Sequence, residues 1–150
     1  SISFLKNLGP EPLSRNFNTS YFQQFINNKK KNIKSMLMDQ KFVSGLGNIY
    51  VNEALFMAKI HPLRASATIK KAEAIKLIHH IQSILKLSIL KGGSTIRDFK
   101  NSLGKSGSYQ QLFKVYGKEG EICSRISCNE KIKKISISAR SSFYCNSCQK

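Results

Sequence analysis

The sequence predicts a mainly α-helical chain that ends in a small β-hairpin module. Three observations carry this. Apolar residues recur at helical spacing between positions 18 and 90. Glycine-rich or polar breaks separate these runs. Beyond Tyr116 the texture changes to short alternating segments between pairs of cysteines. With 150 residues, 41% of them hydrophobic, the chain can bury a core without disulfide staples.

The elements follow in order. Gly9-Pro10-Glu11-Pro12 makes residues 1–17 a rigid, non-helical connector. Asn18-Thr19-Ser20 can cap a first helix, in which Tyr21, Phe22, Phe25 and Ile26 share a face. After the polar break Asn27–Asn32, a second helix is expected from about Ile33 to Gln40, with Ile33, Met36 and Leu37 turned inward. Gly45-Leu46-Gly47-Asn48 is a tight turn into a third helix, about Asn48 to Lys59, with Ile49, Ala54, Leu55 and Met57 as its apolar set. Ile60-His61-Pro62 closes it. The longest helix is expected from about Ile69 to Leu90, with the stripe Ile78, Ile81, Leu85 and Ile89, and Gly92-Gly93 stops it. Thr95 can cap a short helix through Phe99, and Asn101–Ser108 reads as a mobile Gly/Ser/Lys loop. Strands are expected at Ile132–Ser138 and Ser141–Tyr144. The boundary near 115–120 divides a helical domain over 18–114 from an appendage over 115–150.

Charge narrows the partner. Twenty-five Lys and Arg stand against eight Asp and Glu, a net charge of +17. Such a field draws in polyanions, nucleic acid first and an anionic membrane surface second; a solvated basic surface gives the same total. No apolar stretch approaches the roughly 18–20 residues of a membrane span, and no secretory leader is visible. The opening on Ser1 rather than Met reads as a piece of a longer protein.

All four cysteines, Cys123, Cys128, Cys145 and Cys148, fall near the end, spaced C-x4-C, sixteen residues, C-x2-C. Two short thiol turns joined by a hairpin supply the tetrahedron that Zn²⁺ takes from four thiolates. So small a module has little core of its own, so the metal supplies its folding energy, typically ~10–16 kcal/mol apparent. Two disulfides or a redox-active Cys145/Cys148 pair are the other readings. On the zinc reading, replacing Cys145 unfolds the hairpin and spares the helices, since the modules are expected to have separate cores. Gly45-x-Gly47-Asn48 opening a helix can hold a phosphate on free N–H groups, aided by Lys34 and the Lys29–Lys31 run; an ordinary helix–helix turn has the same sequence.

Several of these segments together resemble a known family. Leu37-Met38-Asp39-Gln40, Gly45-Leu46-Gly47-Asn48-Ile49-Tyr50, Glu53-Ala54-Leu55-Phe56 and Ile60-His61-Pro62 are similar to the helix–two-turn–helix of bacterial formamidopyrimidine-DNA glycosylase, the Fpg/MutM family. Leu8–Leu13 resembles its interdomain segment, and Val115–Gly120 with Arg140–Cys145 resembles its zinc finger. The resemblance implies a helix–two-turn–helix domain over 18–114 and a zinc finger over 115–150. It implies one structural Zn²⁺ on the four cysteines and double-stranded damaged DNA as partner. It further implies a monomer, no membrane, and a bacterial cytoplasmic location. Gly45, Gly47 and Asn48 are then phosphate holders, with Lys30, Lys34 and Tyr50 as further DNA contacts. Lys105, in Gly104–Gly107, lies on the loop that closes over everted 8-oxoguanine. Arg140 is the catalytic candidate, for the second elimination step; its plainer reading is a phosphate contact.

The intact enzyme implied is a base-excision glycosylase and AP lyase for oxidised purines. It flips the base out of the stack, forms a Schiff base through an N-terminal proline amine, and cuts by β- then δ-elimination. Two departures stand out. The first cysteine pair is C-x4-C where the family usually has C-x2-C, so a looser knuckle is expected. The chain as written opens on Ser1, not that proline, so alone it is expected to bind DNA without glycosylase activity. An endonuclease VIII-type enzyme for oxidised pyrimidines and a non-enzymatic zinc-ribbon module remain as alternatives.

Overall fold

The computed structural model describes residues 7–90 and 113–150. Gly92-Gly93, the expected helix from Thr95 and the loop with Lys105 lie outside the described residues. The described elements are α1 (Thr19–Ile26), α2 (Ile33–Leu37), α3 (Asn48–Met57), a 3₁₀ turn (Ser66–Thr68), α4 (Lys71–Leu90), β1 (Lys133–Ile137) and β2 (Arg140–Tyr144). No helix among the described residues is long and apolar enough to cross a membrane.

Local chemistry sets the helix starts. The Asn18 carboxamide accepts the Tyr21 N–H at 2.9 Å, and the Asn32 carboxamide accepts the Ser35 N–H at 2.8 Å. α2 stops at Leu37, short of the expected Gln40, because Asp39 reverses the chain. Its carboxylate takes the Lys41 N–H and its carbonyl takes the N–H groups of Phe42 and Val43. α4 begins at Lys71 rather than Ile69. Ile69 is extended, and the Glu73 carboxylate receives the Lys70 N–H at 2.9 Å and the Arg64 guanidinium.

The core lies between α1, α2, α3 and α4. Phe42 is its aromatic hub, with the rings of Phe17, Tyr21, Phe22 and Phe25 centred 4.7–5.9 Å away. The connector closes this side: the Gly9 N–H reaches the Gln40 carbonyl at 2.8 Å. A Cβ on Gly9 would stand 2.4 Å from the Phe42 carbonyl oxygen, so only glycine fits.

α3 is the central element, and its packing departs from the expected stripe. Met57 is 37% exposed, while Val51, Asn52, Glu53 and Phe56 are buried beside Ala54 and Leu55. One flank of α3 meets the helical core and the other meets the hairpin, so no solvent face exists to set a helical period. At the far end of α4, Ile89 is 63% exposed, because that helix outruns its partners among the described residues.

β1 and β2 pair antiparallel, with Ile137 opposite Arg140 across the turn Ser138-Ala139. Both turn residues have left-handed φ, 51° and 64°, the geometry whose twist suits a two-residue hairpin loop. The hairpin's small core joins Val115, Cys123, Ile132, Phe143 and Cys145 to Phe56 of α3. The two clusters are distinct, as expected, but the hairpin's includes a residue of the helical domain. A module this small cannot surround its own apolar groups, so it borrows a ring from the helical domain.

Candidate nucleic-acid interface and metal centre

The four cysteine sulfurs all lie within 4.8 Å of one another. Cys123–Cys148 is 3.8 Å, and Cys128–Cys145 and Cys128–Cys148 are each 3.7 Å. A tetrahedron with Zn–S bonds of about 2.3 Å has edges of about 3.8 Å, so the set has the size of a filled thiolate site. None of the four is joined in a disulfide. Burial, followed by the neighbouring thiols, raises the Cys123 pKa against the opposing Arg125 N–H. Cys148 goes the other way: burial opposes ionisation, but the Arg125 side chain and the other thiols bring its pKa down.

The second site forms where the hairpin tip meets the starts of α2 and α3. Gly47 is the N-cap of α3, and no side chain among the described residues caps that end. The Asn48 carboxamide donates to the Ser141 carbonyl at 3.1 Å. The Lys34 ammonium donates to the same carbonyl at 3.0 Å and to the Ser142 hydroxyl. Lys34 is only 1% exposed, so it is no free surface cation. Burial, with a further contribution from the positive charge of Arg140, lowers its pKa from 10.5 to about 8. Arg140 is exposed on the first residue of β2 and lines a cleft of about 640 Å³ with Lys31, Ser35, Asp39, Lys41 and Ser138.

The two glycines differ in a way that bears on function. Gly45 has φ +80°, and its N–H is held by the Gln40 side chain at 2.9 Å, so the fold itself needs glycine there. Gly47 has an ordinary extended backbone, and a Cβ on it would meet only the Tyr50 ring, at 3.6 Å. Nothing among the described residues demands glycine at 47. What its absent side chain leaves is an open approach to the uncapped end of α3.

Lys30 is exposed between Lys29, which lies over Phe25, and Lys31, paired with Asp39 at 3.3 Å. Tyr50 is half-buried, with its hydroxyl 2.8 Å from that of Ser88 on α4. Lys34, Asn48, Gly47 and Arg140 are thus brought to one face.

Residues 8–100 match the family described as Formamidopyrimidine-DNA glycosylase H2TH domain. The chain belongs to that H2TH family. It is 48% identical over 146 residues to the formamidopyrimidine-DNA glycosylase of Roseobacter denitrificans, covering 97% of this chain and 52% of that protein. The enzyme of Photorhabdus laumondii is 50% identical over 147 residues, with 98% and 54% covered. Lactococcus lactis Fpg in complex with abasic-site DNA superposes with a TM-score of 0.84 at 40% identity, over 99% of this chain and 54% of that one. Its complex with Fapy-dG DNA gives 0.83 at 39%, with the same coverage. The chain spans about half the length of the curated relatives it matches.

Sequence reasoning missed the polar residues that dock the zinc-finger-like hairpin on the H2TH helices. Asn52 accepts the Phe143 N–H at 2.7 Å and donates to the Asn48 carbonyl at 2.9 Å. The Glu53 carboxylate accepts the N–H groups of Lys114, Val115 and Tyr116 at 2.6, 3.0 and 2.8 Å. Burial still leaves the Glu53 pKa raised despite these donors. Gln149 joins the Cys145 N–H to the Ile60 carbonyl. The available signal was Asn52-Glu53 in the middle of α3, where an apolar stripe should continue.

Proposed function

We propose that this chain is the DNA-gripping part of a base-excision DNA glycosylase and AP lyase that removes oxidised purines such as 8-oxoguanine and formamidopyrimidines. The observation that carries the reading is the convergence of an uncapped helix start at Gly47-Asn48, the Lys34 ammonium and the exposed Arg140 on one face. A backbone phosphate there finds N–H donors, a helix dipole and the exposed Arg140 cation, with the buried Lys34 charge behind them. The relatives are named for formamidopyrimidine, which favours this reading over an oxidised-pyrimidine enzyme or a zinc-ribbon module.

In this reading residues 1–17 connect to the catalytic half, 18–114 grip the duplex, and 115–150 hold the finger. Lys30 and Tyr50 add backbone contacts, and Lys105 belongs to the loop over the everted base. Arg140, reaching toward the lesion strand, serves the second elimination step. One structural Zn²⁺ sits on Cys123, Cys128, Cys145 and Cys148, where it fixes the hairpin and does no chemistry. The protein works as a monomer on chromosomal DNA in the bacterial cytoplasm.

The test is binding to a duplex with an abasic-site analogue, measured across salt concentrations. Phosphate gripping makes log K fall with log salt, with a slope of about −4 to −5 for ~4–6 neutralised phosphates. Lys30→Ala should reduce that slope by about one, and Asn48→Ala should weaken binding with little change in slope. Lys76, exposed on α4, is the control. If Lys76→Ala costs as much as Lys30→Ala, only the net charge binds DNA and the grip is wrong.

A further inference from the structure

The inserted residues of the first knuckle do not behave alike. Ser124, Ile126 and Ser127 are exposed, Ile126 at 97%, and Ser127 takes a left-handed φ of 68°. Arg125 alone folds back. Its guanidinium carbon lies 3.9 Å from the centre of the Phe56 ring, and one terminal nitrogen donates to the Phe56 carbonyl at 2.5 Å. That carbonyl belongs to the last turn of α3, where the helix dipole favours a cation. The other terminal nitrogen, Nη1, is buried and has no hydrogen-bond partner among the described residues. A buried guanidinium N–H without an acceptor is costly, so its position needs a reason.

The metal centre supplies one. A divalent ion held by four thiolates keeps a formal double negative charge, half sunk in apolar surroundings. A cationic N–H donor beside the sulfurs offsets that charge and orients the ligands. We propose that Arg125 is a positioning residue of the metal centre: pinned on Phe56, it offers a buried N–H to the thiolate cluster and ties that cluster to the end of α3. Phe56, under the guanidinium, packs in one cluster with Cys123 and Cys145, and Cys128 and Cys148 lie against that cluster, which sets Arg125 beside the ligands. The two extra residues of the knuckle then have a purpose, since they give Arg125 the slack to turn inward. The inference rests on the zinc reading given above.

The test uses the full chain loaded with zinc and competed against a chromogenic chelator, together with spectra of the Co²⁺-substituted protein. Arg125→Ala should weaken apparent zinc affinity roughly 10- to 100-fold, the usual effect of removing an outer partner of a metal ligand. It should also shift the sulfur-to-cobalt charge-transfer bands. Arg125→Lys should recover more affinity than the uncharged Arg125→Gln, and these two carry the test if the alanine variant fails to fold. Lys134→Ala, which removes an exposed cation 5.7 Å from the Phe143 ring, should change neither measurement. Unchanged affinity and bands in the Arg125 variants overturn the proposal. So does a lowered melting temperature with both metal readouts unchanged, which would make Arg125 a packing contact only. A wild-type chain that takes up no zinc overturns the metal reading itself, and this inference with it.

Discussion

Gly47→Ala separates the fold from the phosphate grip. At φ −81° and ψ 157° any residue is comfortable, and among the described residues the added methyl meets only Tyr50, at 3.6 Å. Alanine is a poorer N-cap than glycine by several tenths of a kcal/mol. The loss is offset by ~0.4–1 kcal/mol from the stiffer unfolded chain. Stability should therefore change by less than about 0.5 kcal/mol. Gly45→Ala, at φ +80°, is the contrast: space is open there, but the backbone strain costs about 1–2 kcal/mol. For DNA the order reverses. A methyl at 47 holds a phosphate oxygen off the N–H groups it must reach at about 2.9 Å. Losing one charge-assisted hydrogen bond of ~1.5–3 kcal/mol weakens binding roughly 10- to 150-fold. Urea unfolding and fluorescence anisotropy with an abasic-analogue duplex at fixed salt read the two effects separately. Should Gly47→Ala bind within about twofold of wild type, or lose as much stability as Gly45→Ala, the argument fails.

Three further outcomes are expected. Elemental analysis should find one zinc per chain, and stripping it should lower the thermal midpoint of the helices as well as melting 115–150, because Phe56 loses its cover; a helical melt indifferent to the metal would refute this. Lys34 should make DNA binding pH-dependent: its pKa of about 8 takes the charge away between pH 7 and 9, so affinity should fall more in wild type than in Lys34→Met. The sign for stability is opposite, since the folded chain releases this proton near pH 8 and the unfolded chain near 10.5, so stability gains as pH rises through that window. A wild-type affinity that is flat with pH would remove Lys34 from the grip. Glu53→Gln should cost ~1–3 kcal/mol in urea unfolding by replacing an acceptor oxygen with an NH₂ beside three N–H donors; no loss would mean water serves those donors instead.

Much of this protein was legible before any coordinates. Asn18 sits just outside a helix and caps it, because an amide side chain competes for a free N–H wherever a helix begins. The cysteine spacing announces a four-thiolate site, because a tetrahedral ion admits few arrangements of short turns. The Gly45–Asn48 run marks a tight turn, since glycine bends the chain at little steric cost. These are local properties, set by a residue and its chain neighbours. What the tertiary structure decided is how the pieces share their interiors. Phe56 reads as one more helical core residue, yet it completes the hairpin's core. Lys34 reads as one more surface cation, yet its ammonium is held by Ser141 and Ser142, more than a hundred positions away. Arg125 reads as loop filler, yet it stacks on Phe56. No periodicity signals such contacts, because α3 is packed on both flanks, and which distant strand covers a helix depends on the three-dimensional path of the whole chain.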